Sequence, residues 1–358
     1  MTLHIFNPEH DIALASGLAN FTAPHAGRQL RHDLGFLPAL WAHKGDIVMV
    51  NDTKQAEREW RKICHRINTL SGHRGFLPSN AMFAEGKTLG SLQQPMTIEP
   101  WGWNRALKAQ LLRQGTDESI MPTDAQLQMI RNLSHRRVAA TLLPKLRIEG
   151  TIGEAYECQE PNQVEALLEQ YGQVVMKAPW SSSGRGLRFL SLERTPFQMQ
   201  ANWFHNVVST QGSVMIEPFY NKTKDFGMEF YADEQGQINY LGLSLFHTAN
   251  GAYTGNILAT EYTKREIISQ YIPVYLLDSV QEKIRTELSN VLEGRYHGPL
   301  GVDMMISNGS YLHPCVEINL RRTMGHVALT LAPIDDDVRS VMRIEYSGDS
   351  YKLKIDKL

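Results

Sequence analysis

Three stretches of this chain put charged side chains at the exits of apolar runs, where they could handle phosphate and metal. In the first, Val174-Val175-Met176-Lys177 delivers a lysine into the small-residue loop Ala178–Gly186. A strand-borne lysine sets a compact positive charge against a phosphate. Ser182, Ser183, Gly184 and Gly186 let backbone N–H groups approach phosphate oxygens, as in other anion-binding nests. The Gly-Lys-Ser order of a Walker loop is absent, and a plain hairpin turn accounts for this stretch alone equally well. In the second, Val214-Met215-Ile216-Glu217-Pro218-Phe219-Tyr220 is followed by Lys222, Lys224 and Asp225. Backbone groups at such a strand exit can imitate a base-pairing edge for adenine, and a later carboxylate can hold ribose hydroxyls.

The third stretch carries the most chemistry. Gly301-Val302-Asp303-Met304-Met305-Ile306 leads through Ser307–Ser310 into Val316-Glu317-Ile318-Asn319-Leu320-Arg321-Arg322. The turn residues between two apolar runs predict a hairpin. Residues two apart on a strand share a face, so Glu317, Asn319 and Arg321 line up, with Asp303 expected opposite on the paired strand. Two carboxylates and an amide oxygen make an all-oxygen site suited to Mg²⁺ bridging phosphates; Mn²⁺ would also fit. The adjacent arginine suits phosphate or carboxylate.

These residues need an α/β frame. Leu3–Phe6, Ile47–Val50, Val174–Met176 and Val214–Ile216 read as strands, being short, apolar, β-branched and bounded by turn formers. Gln126–Leu143, Pro161–Tyr171 and Leu277–Glu293 show helical spacing. Such alternation predicts an α/β or α+β protein. The polar stretch Gln114–Thr123 marks one boundary, and composition changes again near Gly150–Glu154. A strand pair with a charged tail is expected after Asp335.

Taken together, the three signals resemble the ATP-grasp superfamily over roughly residues 120–335. Their order agrees, and so do their separations: Lys177 precedes Glu217 by 40 residues, while Glu317 and Asn319 follow Asp303 by 14 and 16. Glu317-x-Asn319-x-Arg321, with His326 beyond, is similar to the metal strand of the carboxylase and carboxylate–amine ligase branches. The resemblance implies two α+β sub-lobes clasping ATP, at 116–210 and 211–358, behind an N-terminal α/β lobe at 1–115 of pre-ATP-grasp type. It implies that Lys177 touches the α-phosphate and adenine, and that Ser182, Ser183, Gly184 and Gly186 belong to the loop closing over the phosphates. Glu217 then sits near the adenine amino group, with the Pro218 carbonyl and the Tyr220 amide beside Phe219 as base-edge partners, and Met305 as an apolar floor. Asp303, Glu317 and Asn319 become Mg²⁺ ligands, and Arg321 stabilises the transferring phosphoryl group. The family's second lysine is replaced by arginine here, Arg136 aligning best, and the ribose acid is Asp225 rather than glutamate.

The implied activity is an ADP-forming ligase joining a carboxylate to an amine or thiol through an acyl phosphate. A phosphotransferase on the same fold and a non-catalytic nucleotide binder are the alternatives. Asn7-Pro8-Glu9-His10-Asp11 is a polar cluster at a strand exit, where open α/β sheets bind ligands. Asp11 is expected to cap a helix starting at Ile12. Glu9, His10, His247, Asn256 and Arg322 are candidate substrate contacts, and Pro100–Arg105 a candidate stacking or inter-lobe segment.

Composition narrows the classes further. With 36 basic and 38 acidic side chains in 358 residues, the chain has a formal net charge of −2, which disfavours a bulk-electrostatic nucleic-acid binder. Hydrophobic residues at 42% and charged ones at 21% describe an ordinary globular chain. Cys64, Cys158 and Cys315 form no CxxC pair, and the 13 histidines no HExxH pattern. No run near 18 apolar residues occurs, and the first residues do not read as a signal peptide. The expectation is a cytoplasmic enzyme with small-molecule carboxylate and amine substrates, amino acids or peptides among them; a homodimer is compatible with the sequence, which leaves the oligomeric state open.

Overall fold

The computed structural model describes residues 1–70, 80–91, 97–181, 184–249 and 252–358. Ser182 and Ser183 therefore lie outside the described residues. Within them the chain forms four four-stranded sheets. The first is parallel, in the spatial order Met82–Glu85, Ile47–Val50, Thr2–Ile5, Thr97–Pro100. Ile47–Val50 is buried throughout, as parallel strands covered on both faces are. Helix Thr53–Thr69 turns Ala56, Trp60, Ile63 and Ile67 inward at helical spacing, and Asp52 caps it by accepting from the Gln55 N–H at 3.0 Å.

The second sheet, antiparallel, runs Tyr156–Cys158, Val214–Pro218, Gln173–Lys177, Leu187–Ser191. Helices Pro161–Tyr171 and Ala201–Gln211 cover it, packing Val164, Leu168, Phe204 and Val207 against Val174 and Ile216. The third sheet runs Ile238–Ser244, Lys222–Ala232, Gly298–Ser307, Tyr311–Asn319, again antiparallel. Strand alternation buries Val302, Met304 and Ile306 against helix Val274–Leu292 and turns Asp303 and Met305 to the opposite face. The fourth sheet joins Phe246–Ala249, Ala252–Leu258 and the hairpin Ser340–Tyr346/Tyr351–Lys357, which is the strand pair expected after Asp335.

This last hairpin packs far from its sequence neighbours. Met342, Leu353 and Ile355 share one apolar cluster with Phe6, Leu34 and Trp60 of the N-terminal layer. The Arg66 guanidinium donates to the Ile355 carbonyl at 2.7 Å, and the Tyr351 N–H to Asp33 at 2.8 Å.

One helix departs from expectation in a way that matters. The periodicity from Gln126 to Leu143 suggested one helix, but the chain forms two, Asp124–Leu133 and Arg137–Leu146. Between them His135 turns its ring edge-on to Trp180 at 4.6 Å, and the Arg136 N–H bonds the Pro179 carbonyl at 3.3 Å. Docking to the loop after Lys177 outweighs continuing the helix, and it places Arg136 at the cleft. Among the described residues no helix is long and apolar enough to cross a membrane.

Candidate active site

The centre of the site is the hairpin Gly298–Ser307/Tyr311–Asn319. Asp303 and Glu317 are direct partners across the two strands. The Asn319 amide donates to Asp303 at 3.3 Å, and the Arg321 guanidinium donates back to Asn319 Oδ1 at 2.9 Å. Arg321 lies beyond the end of the strand, so this bond, rather than alternation, keeps it beside the other three. Burial, then the neighbouring carboxylates Glu317 and Glu229, push the Asp303 carboxyl up to about 8. A carboxyl crowded by others in this way suits a cation ligand. Two carboxylates and an amide oxygen fit a hard divalent ion by donor chemistry. Among the described residues no cluster of three His, Cys, Asp or Glu is disposed as a metal site, so Asn319 is required to complete the set.

Opposite this hairpin, across a cavity of about 340 Å³, stand Arg136, Lys177, Ser181 and Gly184. The Lys177 ammonium pairs with Glu217 at 2.6 Å, both side chains buried. Arg136 is the bridge: one guanidinium nitrogen donates to the Ala178 carbonyl and to Ser181 Oγ at 2.7 Å, the other to Glu317 at 2.7 Å. The loop closes tightly, with the Ala178 N–H bonding the Gly186 carbonyl at 2.9 Å. A Cβ at Gly186 would sit 2.4 Å from the Ser181 side chain. Gly186→Ala should therefore displace Ser181 from Arg136 and weaken binding of a nucleotide about tenfold, read as the dissociation constant for Mg-ADP. Unchanged affinity would show that this loop does not shape the pocket.

Other candidates fall as follows. Met305 and Asp225 are paired residues on adjacent strands; Met305 is part-buried on the Asp303 face and is not among the residues that line the cavity. Asp225 is held by Lys222 at 2.6 Å and by Thr248 at 2.5 Å. Phe219 is half exposed, edge-on to Phe189, while the Tyr220 ring lies 5.4 Å from His313. Asn256 is fully buried and lines the cavity, bonded to Ser244 and Tyr253. Trp101 lines it too, packs edge-on against Phe6, and its carbonyl accepts from the Arg322 N–H at 2.8 Å.

Four expectations need correction. His247 is exposed, because alternation turns its neighbours Phe246 and Thr248 to the cavity instead. Arg322 stacks on Trp41 at 4.3 Å and faces Glu99, away from the cleft. Glu9 points into a different cavity and pairs with Arg31 at 2.9 Å. The helix begins at His10, and Asp11 caps nothing: its carboxylate takes two bonds from Arg321, at 2.9 and 2.7 Å. Burial alone would raise the Asp11 carboxyl, and the Arg321 guanidinium instead holds it below the usual range. The polar cluster at a strand exit was the signal for this contact; the range of the contact, 310 residues, was not readable. Glu229 was also missed. It is buried in the cavity wall 3.0 Å from His326 Nδ1, yet that nitrogen is engaged by the Thr323 N–H at 3.2 Å, leaving Glu229 Oε2 without a donor.

His10 packs beneath this region, its Nδ1 3.1 Å from the Asn104 amide. Burial lowers it to about 4, and likewise His313 to about 4. Unfolded histidines bind protons near 6.5, so between about 4 and 6.5 the unfolded chain holds more protons. Their contribution is complete above pH 6.5 and is lost as pH falls through that window. Asp303 acts in the opposite sense, so the informative comparison is between variants. His313→Gln should flatten the pH dependence of the urea midpoint between pH 7 and 5; a slope identical to the parent's would refute burial as a neutral ring.

With this geometry in hand, comparison with known proteins is informative at the level of fold. No family model matches the chain. Over 203 residues it is 23% identical to the butirosin acyl-carrier protein–L-glutamate ligase of Niallia circulans, a match covering 55% of this chain and 45% of that one. The chain thus spans less than half the length of that curated relative. The biotin carboxylase domain of the 2-oxoglutarate carboxylase of Hydrogenobacter thermophilus, solved with MgADP, ADP and bicarbonate, matches with a TM-score of 0.50 at 12% identity, covering 85% of this chain and 75% of that one. Rhizobium etli pyruvate carboxylase matches with a TM-score of 0.50 at 13% identity, over 85% of this chain and 31% of that one. The likeness is one of fold: the chain has the ATP-grasp fold of these solved structures.

Proposed function

We propose that the chain is an ATP- and Mg²⁺-dependent ligase that joins a carboxylate to an amine through an acyl phosphate, releasing ADP and phosphate. The observation that carries the reading is the convergence of Asp303, Glu317, Asn319 and Arg321 on one side of a single cleft with Lys177 and Arg136 on the other. The names of the relatives, an acyl-carrier protein–L-glutamate ligase and two carboxylases, support the same class. The division into 1–115, 116–210 and 211–358 belongs to this proposal.

A substrate carboxylate oxygen attacks the γ-phosphorus, the bond to the β-phosphate oxygen breaks, and ADP leaves. The amine then adds to the acyl carbon, phosphate departs, and the amine nitrogen gives up a proton. Asp303, Glu317 and Asn319 would hold the divalent ion, which when bound offsets charge on the phosphates. Arg136 and Lys177 orient the phosphates, while Arg321, fixed by Asp11 and Asn319, presents fixed positive charge to the transferring group. Met305 floors the base, and Gly184 and Gly186 let the loop backbone approach. The apolar Phe6, Trp101 and Met324 beside polar Glu229, Ser244 and Asn256 suit an acceptor with a small apolar body and an amine.

The test incubates the protein with Mg-ATP and pooled amino acids, scoring ADP, phosphate and product mass. Stoichiometric ADP and phosphate with a new amide mass supports the ligase. ADP with a phosphorylated metabolite, or tight Mg-ATP binding without turnover on any pool, would overturn it.

A further inference from the structure

A second cavity, of about 290 Å³, opens at the carboxyl edge of the N-terminal parallel sheet and is separate from the nucleotide cleft. Helix His10–Ser16 divides the two: Asp11 faces the cleft, while Glu9 and Ala13 line this cavity. Three strand exits supply its polar rim. Asn51 directly follows Ile47–Val50, Glu9 follows Thr2–Ile5, and Asn104 follows Thr97–Pro100. This edge is where open α/β sheets hold ligands.

The charge of the cavity is lopsided. Arg28 and Arg31, one turn apart on helix His25–Leu34, converge with Arg113 from the end of helix Arg105–Arg113. Glu9 is the acid among the residues that line it. Arg31 Nη1 divides its bonds between Glu9 at 2.9 Å and Gln110 at 3.0 Å, while Arg31 Nη2 and Glu9 Oε2 are buried with no partner. Arg28 is engaged by a backbone carbonyl, that of Ala23. Among the described residues Arg113 has no ion-pair partner. Three guanidiniums gathered in a concavity repel one another, and the free forks match the planar oxygens of phosphate or carboxylate.

We propose that this cavity binds a small organic anion bearing at least two negative charges, as a phosphate ester or a dicarboxylate, through Arg28, Arg31 and Arg113. Gln110 and Asn51 supply neutral hydrogen bonds to the rest of the ligand. The cavity is large enough for a ligand of metabolite size. The inference does not depend on ligase chemistry, since it concerns a site that the nucleotide does not occupy.

The experiment titrates inorganic phosphate, and separately citrate, into the full chain by calorimetry with saturating Mg-ADP present. At least one anion should bind with a dissociation constant at or below about 1 mM. Binding of phosphate but not citrate assigns a phosphate ester, and the reverse a dicarboxylate. Arg31→Gln and Arg113→Ala should each weaken that binding about tenfold and leave Mg-ADP affinity unchanged. Should Arg31→Gln perturb folding, Arg28→Ala and Arg113→Ala alter exposed side chains and carry the test. Absence of binding by both anions at ten times that concentration, or affinity unaffected by every arginine change, overturns the proposal. If Mg-ADP itself fails to bind, the arginine variants still report on this cavity, so its fate is read separately from that of the ligase.

Discussion

Glu317→Gln should lower ATP-dependent product formation about 10³-fold while leaving the thermal unfolding midpoint nearly unchanged. The side chain faces two demands at once. It lies opposite Asp303 as a candidate ion ligand, and it accepts from Arg136 at 2.7 Å. Glutamine keeps the shape and one carbonyl acceptor, so the bond to Arg136 can persist in neutral form and packing is conserved. What it removes is one negative charge from the ligand set, which weakens the hold on Mg²⁺ where charge on the phosphates must be offset. Steady-state ADP release with rising Mg²⁺ is the measurement. A partial recovery at high Mg²⁺ would agree with a ligand role, whereas near-normal turnover at low Mg²⁺ would remove Glu317 from the site.

Asp11→Ala should destabilise the protein by about 2 kcal/mol, since it strips a two-bond partner from a part-buried guanidinium and leaves the Arg321 charge uncompensated. Urea unfolding at neutral pH measures this. Breaking such a pair costs more than replacing both members, so Asp11→Ala combined with Arg321→Met should recover much of the loss. Activity should not recover with stability, because in the mechanism we propose Arg321 is the group presented to the transferring phosphoryl. A double variant no more stable than Asp11→Ala would show that the pair contributes little beyond its packing. A double variant with full turnover would show instead that Arg321 has no part in the chemistry.

How far the chain announced this arrangement depends on the range of each interaction. The hairpin with Asp303 and Glu317 was legible because its pairing is local: a turn former, two apolar runs and a period of two fix which residues meet. Lys177 and Glu217 were legible as strand-exit charges, but their direct pairing was not, since it depends on the two strands being neighbours in one sheet. Arg136 lines the cleft, while its helix was misjudged. Periodicity measures how a segment buries its own face, and it carries no record of the Pro179 carbonyl that interrupts this one. Asp11 shows the clearest limit. A helix cap and a long-range ion pair both call for an aspartate near a helix start, and local sequence cannot choose between them. His247 and Arg322 failed for the converse reason: a one-residue step along a strand or past its end reverses the face on which a side chain stands.

The packing of the hairpin Ser340–Tyr346/Tyr351–Lys357 against helix Thr53–Thr69 bears on how the molecule is made. On a ribosome, the N-terminal layer emerges first but lacks the apolar groups Met342, Leu353 and Ile355 that complete its core. It must wait, incompletely buried, until Ile355 has been synthesised, closing a loop of 289 residues when the Arg66 contact forms. Non-local closure of this kind slows folding and leaves Leu34, Trp60 and their neighbours exposed to premature association. The same delay ties a settled Asp11–Arg321 clamp to synthesis of the Ser340–Lys357 hairpin, so a fragment released before that hairpin would carry the cleft strands without a settled arginine.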